Sequence, residues 1–268
     1  MMEYNLEIDL KPYKVLDEFA LLACQRYNLS NRGDWFGNFR GGLYGLYARL
    51  CGVKRHHAEV HNWLPFERTH REREYHASSI LFNMDSAIEC LTFALNALGY
   101  AASPDEFLSV TDEKQLRQIK PKNIYGTGSQ AMEGYKTYFP QLKAYWEASQ
   151  NLMEAIADQH DVSKHRSTID RGGKHRLDPP PGFFENLGIE NDPGERLRFS
   201  PMEEIILPTE PKKPLSQQHL SQSKDFVKLE ELVQRFCPFV TQSGEKALLD
   251  AETNIKLNHT DFSGSSGK

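Results

Sequence analysis

The chain has 268 residues, 39% of them apolar and 26% charged, with a formal net charge of −5. This is enough to bury a sizeable core as one domain or one domain with an appendage, and the mildly acidic balance creates no global field for nucleic acid or an anionic membrane. Cys24, Cys51, Cys90 and Cys237 form no CxxC pair, which argues against a structural zinc site or disulfide framework.

No apolar run approaches the roughly 20 residues of a spanning helix. The start, Met1-Met2-Glu3-Tyr4-Asn5, lacks the basic and apolar regions of a signal peptide, so the expected compartment is the cytoplasm. Leu6 to Leu10 alternates apolar and acidic residues as a short extended arm. Val15, Leu16, Phe19, Ala20 and Ala23 then share one face of a first helix, Val15 to Tyr27.

Gly33, Gly37, Gly41 and Gly45 recur every four residues within Ser30–Cys51. Glycine costs a helix about 1 kcal/mol relative to alanine, so the expected form is a glycine-rich loop followed by a helix from Leu43 to Cys51, closed by Gly52. The alternative is one helix whose glycine row admits a close neighbour. Lys54 to His76 holds His56, His57, His61, His70 and His76 among near-balanced charges, and i, i+4 pairs such as Glu67/Arg71 mark a solvated helical surface.

A second helix, Tyr75 to Leu98, keeps apolar period for six turns and ends at Gly99. Its stripe of His76, Ser79, Asn83, Ser86 and Cys90 is small and polar. Acids following Ser103 and Thr111 predict two short helices across Asp105–Ile119, and Lys120 to Gly134 reads as a loop. A long helix, Gln141 to Ile169, opens after Pro140 and carries Leu142, Trp146, Met153 and Ile156 on one face, then His160 and Lys164.

Most of the prolines fall between Pro179 and Pro238. Asp178 to Phe184 is expected to form a polyproline strap, Arg196–Leu207 to contain a short strand or remain extended, and Pro208–Ser223 to serve as a linker. Lys224–Phe236 and Glu245–Ile255 read as two helices of a small hairpin. The whole predicts a mainly α fold: a helical bundle over 1–175 built on two long helices, a proline-rich strap and linker over 176–223, a small helical tail over 224–257, and a disordered tail over 258–268.

Eight of the ten histidines lie in two blocks, 56–76 and 160–175. Were the two long helices antiparallel neighbours, His76, Asn83, His160, Asp161, Lys164 and Arg166 would gather at one end of the bundle. The leading reading is a binding or regulatory bundle whose His/Arg/Lys-rich end meets an anionic ligand or a protein partner. In it His76, His160, His165 and Arg166 are the candidate chemical groups, and Arg71, Asn83, Asp161 and Lys164 the ligand contacts. A metal-dependent hydrolase is a further alternative, but in His57-Ala58-Glu59-Val60-His61 the glutamate stands one place too late for HExxH. No metal ligands and no cofactor are therefore assigned.

Arg71-Glu72-Arg73-Glu74-Tyr75-His76 resembles the Arg-x(4–6)-His motif of the HEPN class of helical-bundle ribonucleases. The resemblance implies metal-independent RNA cleavage, with Arg71 or Arg166 holding the phosphate and His76, His160 or His165 moving the proton. RNA is then the partner; a second copy of the chain is compatible with either reading, and a membrane with neither.

Overall fold

A computed structural model describes residues 6–26, 32–61, 70–128, 132–165, 205–208 and 226–255. The described chain forms helices α1 (Lys11–Arg26), α2 (Trp35–His61), α3 (His70–Ala102), α4 (Glu113–Leu116), α5 (Lys122–Tyr125), α6 (Glu133–Tyr138), α7 (Pro140–Ala148) and α8 (Gln150–His165), then strands β1 (Ile206–Pro208) and β2 (Phe226–Lys228), then helix α9 (Leu229–Asn254). The fold is mainly α and built on α2 and α3, which pack together. The expected strap and the terminal tail beyond residue 255 lie outside the described residues. No helix among those described is long and apolar enough to cross a membrane. The chain divides into two compact units, one of Met1–Asn5, Gly52–Phe82 and Ala155–Gln234, the other of Leu6–Cys51, Asn83–Glu154 and Arg235–Lys268.

In the second unit the glycine-rich stretch is helical, not a loop before a short helix. Asp34 starts α2, its Oδ1 accepting the Gly37 N–H at 2.9 Å, as an N-cap does. Trp35, Phe39, Leu43, Leu46 and Leu50 are buried. The helix survives its glycines because α3 comes close: a Cβ on Gly42 would lie 2.7 Å from the Ala94 backbone nitrogen and 2.8 Å from the Cys90 carbonyl oxygen. Gly41, one residue earlier, faces open space. Gly52 does not end the helix, which continues to His61.

Gly99 does not end α3 either. A Cβ there would come within 2.3 Å of the Phe107 ring, so glycine makes room for an aromatic cluster in which Phe107 meets Tyr135 at 5.1 Å and Phe139 at 6.2 Å between centroids. Asn96 fixes this loop, donating to the Leu108 carbonyl at 2.8 Å and accepting its N–H at 3.2 Å. Of the two short helices expected over Asp105–Ile119 only α4 forms, capped by Asp112. Ser103 to Glu106 closes instead as a turn, Glu106 N–H donating to Ser103 O. The loop expected over Lys120–Gly134 contains α5 and the start of α6.

The long helix expected from Gln141 divides at Ser149, whose N–H is shared by the carbonyls of Tyr145 and Trp146 at 3.0 and 3.1 Å. This tightened turn breaks the regular i→i−4 ladder. α9 shows the reverse, since one 26-residue helix replaces the expected hairpin. Pro238 removes an internal hydrogen bond, yet its side is exposed while Phe236, Cys237, Phe239 and Val240 are buried around it. Continuous burial outweighs the local defect.

Polar groups in this core replace local caps. Phe139 offers no side-chain cap to α7. Asp250, buried on α9, accepts the Leu142 N–H at 2.9 Å in its place, and Trp146 donates its indole N–H to Ser243 Oγ at 2.9 Å. On α1, Tyr13 donates to the Val240 carbonyl at 2.5 Å.

The first unit contains the last turns of α2, the start of α3, most of α8, the β1–β2 pair and the start of α9. The strands are antiparallel, with Leu207 opposite Val227, and the Leu229 N–H extends the pairing to Ile205 O at 2.9 Å. Ile205, Leu207, Leu229, Leu232 and Val233 are buried, which anchors the first turn of α9.

Two predictions follow from the second unit's packing. Gly41→Ala should raise stability by about 0.5–1 kcal/mol through helix propensity, whereas Gly42→Ala should lower it by about 1–3 kcal/mol through overpacking against backbone. Urea unfolding of both variants checks the opposite signs. Burial raises the Asp250 pKa from its ordinary 3.8, against the lowering pull of the Leu142 and Gln141 N–H groups. A carboxyl whose folded pKa lies above its unfolded one destabilises the fold at pH above the folded value and ceases to do so below the unfolded one. Wild type should therefore gain stability relative to Asp250→Asn as pH falls through that interval, measured by urea unfolding across pH.

Candidate metal centre

The apolar stripe of α2 runs through Leu46, Leu50 and Val53, and the next positions at that spacing are His57 and His61. Two imidazoles thus follow where a helix would ordinarily continue its hydrophobic face. His57 is 3% exposed and His61 18%. Being four apart, they present their rings from successive turns of one side, with centroids 4.3 Å apart.

Glu230 meets them from the first turn of α9, a position where a carboxylate is favoured by the helix dipole. Its Oε2 lies 2.7 Å from His57 Nε2 and 3.0 Å from His61 Nε2, and the two Nε2 atoms are 3.0 Å apart. These three are the group of metal-ligating side chains found among the described residues. The hydrogen bonds of His57 and then His61 hold the Glu230 carboxyl well below the usual carboxylate range, although burial acts the other way. Its second oxygen, Oε1, accepts from Gln234 Nε2 at 3.1 Å, one turn along α9.

Protons alone fit this triangle poorly. An ionised carboxylate only accepts, and a neutral imidazole has one N–H and one lone pair. If both Nε2 atoms carry hydrogen, the two hydrogens crowd together before one oxygen. If only one does, the other nitrogen turns its lone pair toward the carboxylate. A single cation satisfies all three lone pairs. A tetrahedral ion with bonds of about 2.0–2.1 Å sets its ligand atoms about 3.3 Å apart, so two edges of the cluster need to open by about 0.3 Å and the His57–Glu230 edge by about 0.6 Å.

The candidate residues named from the sequence lie elsewhere. His76 on α3 faces His56, their Nδ1 atoms 2.9 Å apart; burial first, and His76 next, lowers the His56 pKa. His160 on α8 packs edge-on against Phe82, with ring centroids 5.4 Å apart. Phe82 is six residues beyond His76, about 9 Å of helix rise, so these contacts set the two histidines at different levels of α3. Asp161 and Lys164 are exposed, and Asn83 is buried on α3. The side chains of Arg71 and His165, and the whole of Arg166, lie outside the described residues.

The sequence contained half of the signal. His57 and His61 continue the α2 stripe, but only if the helix runs through Gly52. Glu230 is 169 residues from His61, and no local motif announces it. Comparison of the chain with protein-family models, with curated proteins and with solved structures returned no match.

Proposed function

We propose that this chain is a metal-binding protein in which His57, His61 and Glu230 hold one divalent first-row transition ion. The observation that carries the reading is the convergence of two imidazole nitrogens and one carboxylate oxygen, every pair within 3.0 Å. Two imidazoles and a carboxylate suit zinc, and on one face of an ion they also suit Fe(II). The Gln234 hydrogen bond adds support, because outer partners of this kind orient ligating carboxylates. The anionic-partner and ribonuclease readings lean on the side chains of Arg71, His165 and Arg166, which lie outside the described residues.

Zinc titration of the EDTA-treated, dialysed protein, followed by calorimetry, tests this. One ion per chain is expected in wild type. His57→Ala, His61→Ala and Glu230→Ala should each weaken binding by more than the roughly 10–100-fold that loss of an outer partner costs. Gln234→Ala should fall within that range. Binding equal in wild type and all three ligand variants would sink the assignment.

A further inference from the structure

We infer that the ion held by His57, His61 and Glu230 keeps a solvent-facing coordination position that takes an oxygen of a small oxyanion, a carboxylate or a phosphate. This rests on the metal reading above and names the ligand class of that same site.

Four observations lead there. The described residues supply three donors, and zinc with three protein ligands characteristically leaves a fourth position to water or an exogenous ligand. Gln234 holds Glu230 Oε1 while Oε2 faces the imidazoles, so the carboxylate contributes one oxygen and leaves the remaining position to another group. Exposure rises across the cluster, from 3% at His57 to 18% at His61 and 32% at Glu230, so the open side lies toward the latter pair. Finally, a divalent ion with two neutral imidazoles and one carboxylate retains net positive charge, which favours an anionic oxygen over a neutral one.

The same residues favour holding the ligand over hydrolysing with it. In the HExxH arrangement the glutamate beside the first histidine activates the metal-bound water, and here that place is Ala58. Glu59 lies two residues from each histidine, about 200° around the helix, on the side of α2 away from the cluster. The centre is therefore a receptor for an anion, with the metal as the recognising group.

The test uses the full chain loaded with Co(II), whose visible absorption reports coordination number, titrated separately with inorganic phosphate and with acetate. A saturable change of the visible band with either anion is expected as its oxygen replaces water in the fourth position, and a response to one alone narrows the class to that anion. The absence of His61→Ala absorption under the same loading ties the band to this site. A tetrahedral band indifferent to both anions would overturn the inference, since it means a fourth protein ligand closes the site, yet it would leave the metal reading intact. No Co(II) band in wild type overturns the metal reading, and this inference with it.

Discussion

The structure depends on α2 remaining one helix from Trp35 to His61 through Gly37, Gly41, Gly42, Gly45 and Gly52. At about 1 kcal/mol per glycine relative to alanine, local preference argues against it. What overrides local preference is burial of the Trp35–Val53 stripe, together with the approach of α3 that the absent side chain of Gly42 permits. The consequence is positional. A helix broken at Gly52 would release His57 and His61 from the rotational phase that the buried stripe sets.

Elsewhere the core shows how distant polar groups substitute for local ones. Asp250 caps α7 across 108 residues, Ser243 receives the Trp146 indole, and Asn96 meets both backbone groups of Leu108. Each arrangement gives a buried donor or acceptor its partner, as buried polar groups require. In that company the triangle of His57, His61 and Glu230 stands apart. Its atoms converge on a point rather than pairing off, and no assignment of protons makes all three contacts favourable.

The surroundings of this cluster favour an ionised, oriented carboxylate. Glu230 sits in the first turn of α9, anchored by the β1–β2 pair and by buried Leu229, and is kept ionised by the imidazoles it meets. Gln234 directs the carboxylate. The neighbouring His56 faces the other way, onto His76, so adjacent histidines on α2 serve two separate contacts.

The sequence by itself determined the mainly α class and the apolar periods of α1, α2 and α3, because these are written in neighbouring residues. Tertiary structure alone decided that the glycines of α2 and Gly99 lie inside helices, that Ser149 interrupts one helix while Pro238 interrupts none, and that Glu230 meets His57 and His61. Those outcomes turn on what packs against each residue. A glycine reads as a helix breaker until a neighbouring backbone or ring needs its space, and two histidines on a buried stripe become a three-donor cluster only when a carboxylate 169 residues away is folded onto them.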